Sequence, residues 1–220
     1  NKFLGTIGDI GVFSFHETKN LVGGQAGCIS INNLSLVERT NTILDKGTDR
    51  KKFIKNFKKK IISSQKRGFY SWVDIGSEYR ASELTSALLF SQIKKVKKIQ
   101  KRREIIWKKY INNIDKFETD HFYLIKPIKN CSSAHHLFVM VFKSLKKSNE
   151  FKNMMQNNGI AATFHYVPLH KSKMGKKFCN YKLPITEKIY NRVVRLPLYS
   201  DITNKEFKKI LYSLNKFMIN

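Results

Sequence analysis

Lys19 is the residue of this sequence whose setting best suits covalent chemistry. It follows a short apolar strand at residues 10–15, and the turn Gly23-Gly24 lies close behind it. A lysine becomes a nucleophile when burial or nearby positive charge lowers its pKa enough to supply a neutral amine. Ser14 could donate its hydroxyl to a phosphate oxygen or, as strand serines commonly do, bond to the backbone, whereas His16 could orient a ligand or simply pack. The spacing indicates a lysine held out of bulk water beside a phosphate; a solvated surface lysine is the plain alternative.

A second group of polar side chains surrounds Pro168. His165, Tyr166 and His170 follow an apolar run closely, and the proline makes the segment rigid. Such a rim suits the hydroxyl and phosphate groups of a ligand. We expect no metal site there, because the sequence places no carboxylate or cysteine beside the two histidines. The pair His135-His136 is expected in a strand, with one ring buried and one exposed.

The cysteines and the apolar runs bear on the compartment. Cys28, Cys131 and Cys179 lie far apart, form no CxxC pair and have no metal-ligand spacing, which predicts reduced thiols. No apolar run approaches a membrane span, and no secretory signal is present. The expectation is a cytoplasmic protein without a membrane partner.

The net charge of +26 raises the question of nucleic acid. The 42 basic residues are mostly lysines scattered along the whole chain, so a dedicated nucleic-acid surface is not expected. A small ligand rich in phosphate is compatible with this charge.

The first part of the chain is expected to hold two short buried strands, at residues 10–15 and 26–31. Ser35 has capping-box spacing with Glu38 and should open a helix that Gly47 closes. The lysine-rich residues 51–64 are expected to form a surface loop, either a flap over a substrate or a solvated connection.

A long helix over residues 82–117 is expected to link two domains. Beyond it the pattern predicts strands at 122–125, 135–142 and 160–164, and a helix at 150–157 ended by Gly159. Thr203 and Glu206 form a capping box for the last helix. The order of these elements indicates a small α/β domain.

Four segments together resemble one family of enzymes. They are Ser14-Phe15-His16-Glu17-Thr18-Lys19-Asn20 with its glycine turn, Asp74 to Leu84, Phe164-His165-Tyr166-Val167-Pro168-Leu169-His170, and Arg195-Leu196-Pro197-Leu198-Tyr199. This pattern resembles the DegT/DnrJ/EryC1/StrS sugar aminotransferases over essentially the whole chain. Glu78 stands where relatives carry an asparagine that reaches the partner subunit's cofactor phosphate.

The resemblance implies an α/β fold, the pyridoxal 5'-phosphate (PLP)-dependent transferase fold type I. Residues 1–100 would be the C-terminal part of the large PLP-binding domain, and residues 101–220 the end of the linking helix and the small C-terminal domain. The chain would be a C-terminal fragment of a homodimeric enzyme, whose cofactor-ring aspartate and stacking residue lie upstream of Asn1. Lys19 would be catalytic and hold the cofactor with Ser14 and His16, whereas the implied substrate-binding residues are His165, Tyr166, His170 and Arg80.

The implied reaction is transfer of an amino group from glutamate to a nucleotide-linked 4-keto-6-deoxyhexose. The motifs are most similar to the subgroup that acts on dTDP-4-dehydro-6-deoxy-D-glucose for the enterobacterial common antigen. Two other classes stay open: a catalytically incomplete fragment that only dimerises, and a basic nucleic-acid-binding protein. A visible absorption band abolished by borohydride would favour the enzyme, whereas steeply salt-dependent DNA binding would favour the last class.

Overall fold

A computed structural model describes residues 2–58, 69–117, 121–178 and 181–219. The chain divides into two compact units, Asn1–Lys95 and Val96–Asn220. Within the described ranges, no helix combines the length and the apolar character needed to cross a membrane.

The first unit begins with an antiparallel hairpin of β1 (Ile10–Ser14) and β2 (Gly27–Ile31), paired from Ile10↔Ile31 to Ser14↔Gly27. Both strands form where the sequence predicts them, but the expected burial is wrong, since Val12 is 76% exposed. The sheet has only these two strands among the described residues, so most of their side chains have no second layer to pack against.

The helices of the first unit are α1 (Val37–Leu44), α2 (Arg50–Lys58) and α3 (Glu83–Lys94). Ser35 does not cap α1. It lies in a single 3-10 turn whose cap is Asn33, and the Asn33 side chain accepts hydrogen bonds from the backbone N–H and the hydroxyl of Ser35. The helix ends at Leu44, before Gly47, because positive φ values at Lys46 and Gly47 turn the chain away.

Helix α2 replaces part of the loop expected at residues 51–64. The aromatic ring of Phe53 is half-buried and lies 6.2 Å from that of Tyr70. This contact comes from a residue distant in sequence, so the lysine-rich composition hid the helix. The remainder of the predicted loop, residues 59–64, lies outside the described residues.

The single helix expected over residues 82–117 is two helices, α3 and α4 (Val96–Ile114), interrupted at Lys95. The Lys95 N–H bonds back to the carbonyls of Gln92 and Ile93, which closes α3 with a tight turn. Lysines crowd this point, and like charges three or four residues apart disfavour a continuous helix.

The second unit contains a three-stranded antiparallel sheet in the order β3-β4-β5, formed by β3 (Phe122–Leu124), β4 (Phe138–Phe142) and β5 (Val193–Leu196). Strand β4 starts later than predicted, and β5 was not predicted. The strand expected at 160–164 is reduced to one bridge between Thr163 and Arg195. His135 and His136 both precede β4 and are half-buried, so the expected alternation is wrong there.

The remaining helices are α5 (Leu145–Asn157), α6 (Gly175–Phe178), α7 (Pro184–Ile189) and α8 (Asn204–Ile219). Helix α5 begins earlier than predicted because the Ser144 side chain caps it through the Lys147 N–H. The predicted capping box of α8 is confirmed: Glu206 accepts from the Thr203 N–H at 2.7 Å, and the Thr203 hydroxyl accepts from the Glu206 N–H at 3.2 Å.

The core of the second unit lies between the sheet and helices α4, α5 and α8. Two polar side chains of α4 bind it to the segments that precede β4 and follow β5. The buried Arg103 guanidinium donates to the carbonyls of His135, His136 and Leu198 at 2.6–3.0 Å. The Tyr110 hydroxyl donates to the Pro197 carbonyl at 2.8 Å, and burial raises the pKa of this phenol. Ser148 and Ser213 are also buried, and the rest of the core is apolar; its fully buried large residues include Phe122, Phe138, Met140, Phe142, Phe151 and Met155.

Candidate active site

The loop between β1 and β2, residues 15–26, carries Lys19. The Phe15 N–H donates to the Ala26 carbonyl and the Gly23 N–H donates to the Phe15 carbonyl, both at 2.8 Å, so the base of the loop is narrow. Gly23 is buried, and a Cβ at this position would lie 3.3 Å from the Cβ of Leu89 on α3. The loop therefore packs closely against a helix of the same unit.

Ser14, His16 and Lys19 belong to one compact turn. The Lys19 N–H donates to the His16 carbonyl at 2.9 Å, and the His16 N–H donates to Ser14 Oγ at 3.4 Å. His16 Nδ1 accepts from the Thr18 N–H at 3.3 Å, so the neutral ring carries its proton on Nε2. In this unit Lys19 is exposed rather than held out of water, and no carboxylate of the described residues pairs with it.

The chemistry of these residues fits PLP. A primary amine without a carboxylate partner can hold the cofactor covalently, and the Ser14 hydroxyl retains a proton to donate to its phosphate. Thr18 fixes His16 beside them, a contact that the sequence analysis did not single out.

Arg80 lies in a different cluster, and its charge is already matched. Its Nε donates to Glu78 Oε1 at 3.0 Å, and its NH2 group donates to Asp45 Oδ1 at 2.8 Å. Lys46 pairs with the other oxygen of Glu78. Hydrogen bonds from Arg80 and Lys46 lower the pKa of Glu78 to about 2. Glu78 therefore neutralises two cations of its own chain.

Backbone contacts hold this cluster together. The Lys46 N–H donates to the Ser77 carbonyl and the Tyr79 N–H donates to the Leu44 carbonyl. Gly47 has φ of 74°, and a Cβ there would lie 1.8 Å from the Asp74 carbonyl oxygen. Only glycine permits this approach. We call residues 45–48 together with 72–80 the clasp.

The segment with His165, Tyr166 and His170 follows Thr163, which pairs with β5 in the second unit. Thr163 exchanges two backbone hydrogen bonds with Arg195 on that strand. The rings of His165 and Tyr166 have centroids 4.7 Å apart, and Tyr166 is 66% exposed. Two of the four side chains predicted for substrate binding therefore lie together on the surface.

His170 has a different environment. Its side chain is only 9% exposed, and its Nε2 lies 3.2 Å from Glu187 Oε1. Glu187 also accepts from the Leu183 N–H at 3.1 Å and from Lys171 Nζ at 3.2 Å. These three donors, the Leu183 N–H first, lower the pKa of Glu187. The arrangement fastens the end of the segment to α7.

Sequence reasoning missed Glu187, Asp45 and Arg195 as partners of the predicted residues. Glu187 and Asp45 pair with residues far along the chain, and no local motif marks either. Arg195 belongs to the Arg-Leu-Pro-Leu-Tyr segment. The sequence marks this segment as part of the family resemblance, but it does not mark the charge of Arg195 as functional.

Comparison with known proteins gives a family match over almost the whole chain. The model of the DegT/DnrJ/EryC1/StrS aminotransferase family matches residues 1–215. The dTDP-3-amino-3,6-dideoxy-alpha-D-galactopyranose transaminase of Aneurinibacillus thermoaerophilus is 27% identical, over 98% of this chain and 53% of its own length. The UDP-4-amino-4,6-dideoxy-N-acetyl-beta-L-altrosamine transaminase of Campylobacter jejuni is 25% identical, over 94% of this chain and 52% of its own length.

The fold agrees with a solved aminotransferase. The crystal structure of TlmJ from Streptoalloteichus hindustanus superposes with a TM-score of 0.84 at 18% identity, covering 100% of this chain and 54% of TlmJ. Together with the family match over residues 1–215, this likeness confirms the predicted fold class, an α/β fold of the PLP-dependent transferase type. The chain spans about half the length of the curated relatives it matches.

Proposed function

We propose that this chain is part of a PLP-dependent aminotransferase acting on nucleotide-linked sugars. The chain belongs to the DegT/DnrJ/EryC1/StrS aminotransferase family. The observation that carries the proposal is the Lys19 turn, in which an exposed amine, the Ser14 hydroxyl and the His16 ring share one loop of the family motif. In this proposal the first unit contributes to the large PLP-binding domain and the second is the small C-terminal domain.

The proposed acceptor is the 4-keto group of dTDP-4-dehydro-6-deoxy-D-glucose, with glutamate as amino donor. The support is the set of motifs shared with that subgroup, since the relatives differ in nucleotide and in the ring position that carries nitrogen. The product would be dTDP-4-amino-4,6-dideoxygalactose, a sugar for cell-surface polysaccharide. The enzyme is proposed to be a cytoplasmic homodimer with each active site at the interface.

The proposed mechanism assigns proton movement to Lys19. When bound, PLP supplies an electron sink for the transfer of the amino group. Lys19 holds the cofactor at rest, and its free amine then moves the proton of the amino-acid α-carbon as general base. Ser14 donates to the phosphate, and the His16 ring, fixed by Thr18, can present its Nε2 proton to cofactor or substrate. The aspartate on the pyridine nitrogen and the stacking residue are proposed to lie outside this chain.

Each unit carries side chains that are proposed to take part in substrate binding. His165 and Tyr166 are exposed and can bond sugar hydroxyls. His170 would act mainly by holding their segment against Glu187. Arg80 can reach an anionic substrate only after giving up part of its pairing with Glu78 and Asp45.

Borohydride reduction tests the cofactor assignment. The full-length protein should show a visible absorption band with PLP, and borohydride should abolish it and fix a pyridoxyl group on Lys19. Peptide mapping locates the label, and Lys19→Arg should remain unlabelled, whereas Lys46→Arg is the matched control that retains the label. A pyridoxyl group on any other lysine would defeat the assignment.

Sedimentation tests the proposed dimer. Full-length enzyme should sediment at twice the monomer mass at concentrations where it is active. A fully active monomer would contradict the interface site while leaving the Lys19 assignment intact.

A further inference from the structure

We propose that Arg195 binds the diphosphate of the nucleotide sugar, an inference that rests on the proposed function. The family resemblance implies Arg80 as the cation that binds the substrate, but Asp45 and Glu78 beside it already match its charge. The described residues offer no carboxylate to Arg195. A cation without an anion beside exposed polar rings is the better candidate for a phosphate ligand.

The backbone of Arg195 is fixed on both sides. It pairs with Val139 of β4 on one edge, and on the other it exchanges two hydrogen bonds with Thr163, at 2.8 and 3.2 Å. The side chain therefore starts from a rigid strand rather than from a loop. A ligand-binding group on such an element loses little conformational entropy when it binds.

The guanidinium group is itself oriented. Its Nε donates to the Phe164 carbonyl at 3.1 Å, and its central carbon lies 5.7 Å from the centroid of the Tyr166 ring. One donor is thus used to hold the group, and no hydrogen bond within the described part of the chain uses the two terminal nitrogens, whose N–H groups can serve a ligand. A planar fork with two such nitrogens matches the oxygens of a phosphate in a bidentate contact.

The neighbours of Arg195 suit the rest of a nucleotide sugar. Tyr166 places an aromatic face over the guanidinium and carries a hydroxyl, and the His165 ring stands against Tyr166. These groups can bond sugar hydroxyls or stack on a flat ring. Charge, hydrogen-bond donors and aromatic surface therefore come together at one edge of β5, all within the second unit.

The test is a comparison of two probes on the full-length holoenzyme. Calorimetry measures the affinity for dTDP and for thymidine, and likewise for UDP and uridine, so that only the phosphates differ within a pair. Arg195→Gln should weaken the nucleoside diphosphate by about tenfold to a hundredfold and leave the nucleoside unchanged. Arg195→Lys should give an intermediate loss, because charge remains but the fork is lost.

Arg192→Gln is the matched control. Arg192 lies in the same unit, but its guanidinium donates hydrogen bonds to the carbonyls of Lys188 and Lys143. Arg192→Gln should therefore leave the ratio of diphosphate to nucleoside affinity unchanged. An Arg195→Gln protein that keeps the wild-type ratio of diphosphate to nucleoside affinity would overturn the proposal. Equal weakening of both probes would also overturn it, since that outcome indicates only a displaced segment. Failure of the wild type to bind either diphosphate would do the same.

The amino-donor half-reaction separates this inference from the proposed function. Glutamate alone should convert the cofactor absorbance in the wild type and in Arg195→Gln at similar rates, because no phosphate of the sugar substrate takes part. A wild type that shows no such change would defeat the proposed aminotransferase, while the calorimetric ratio would still report on Arg195.

Discussion

The two units of this chain differ in where their apolar side chains lie. Every hydrophobic residue that is buried among the described residues belongs to the second unit, beginning with Ile106. In the first unit large apolar side chains are exposed, among them Phe69 at 94%, Ile75 at 91% and Leu84 at 86%. The second unit thus has an apolar core of its own, whereas the described residues of the first unit bury no hydrophobic side chain of comparable kind.

This difference bears on function. The Lys19 turn and the clasp lie in the unit with the weaker packing, whereas the segment from Phe164 to His170 is fastened to the sheet of the better-packed unit. Segments with few buried apolar contacts open at low free-energy cost. We infer that the proposed cofactor loop depends more on its surroundings than the proposed substrate segment does.

Separating the two units is the most direct test and should give the largest effect. A polypeptide of residues 96–220 should unfold cooperatively in urea, because the residues of its core all come from that unit. A polypeptide of residues 1–95 should show no cooperative transition, because it buries too little apolar surface to offset its conformational entropy. Circular dichroism during urea titration measures both transitions. A cooperative transition in residues 1–95 would contradict the conclusion that the first unit lacks a core of its own.

Removal of one aromatic ring from each unit measures how much buried apolar surface stabilises each of them. Phe142→Ala should cost about 3–5 kcal/mol of unfolding free energy, since its ring is fully buried between sheet and helices. Phe69→Ala should change it by less than about 0.5 kcal/mol, because that ring is almost fully exposed in the chain. Urea unfolding of the 220-residue chain gives both values. Equal costs at the two positions would show that Phe69 is buried in solution.

Arg103 tests whether the core of the second unit depends on its one buried cation. Arg103→Met should cost about 3 kcal/mol, because three carbonyls of the connecting segments lose their donor. The exposed Arg39, which pairs with Asp74 in the first unit, is the matched control, and Arg39→Met should have a small effect. A loss below about 1 kcal/mol for Arg103→Met would mean that water replaces the guanidinium at these carbonyls.

The sequence predicted those features of the fold that depend on residues close together along the chain. The hairpin strands, β4 and the Thr203–Glu206 capping box follow from alternation, glycine turns and cap spacing, and Lys19 could be chosen from its motif. It did not predict α2, the break at Lys95 or strand β5, because each depends on contacts with residues far along the chain or on charge crowding. The same holds for the site: the roles of Glu187 and of Arg195, which no carboxylate of the described residues pairs with, become visible only when strand pairing and helix packing bring their neighbours together.

Acidification of the clasp should give the smallest effect, and one confined to the first unit. Because the folded-state pKa of Glu78 is about 2, below its ordinary value of 4.5, its pairing stabilises the clasp fully above pH 4.5. That stabilisation is lost as pH falls toward 2. The backbone of Trp72 pairs with that of Thr48 in the clasp. The indole N–H signal of Trp72 should therefore shift in this pH window in NMR spectra, whereas the indole signal of Trp107, in the second unit, should stay constant to lower pH. Asp74 titrates nearby with a lowered pKa, so the control is Glu78→Gln, which should remove only the Glu78 part of the shift. An identical titration of Trp72 in the wild type and in Glu78→Gln would show that the pairing with Lys46 and Arg80 does not hold the clasp closed.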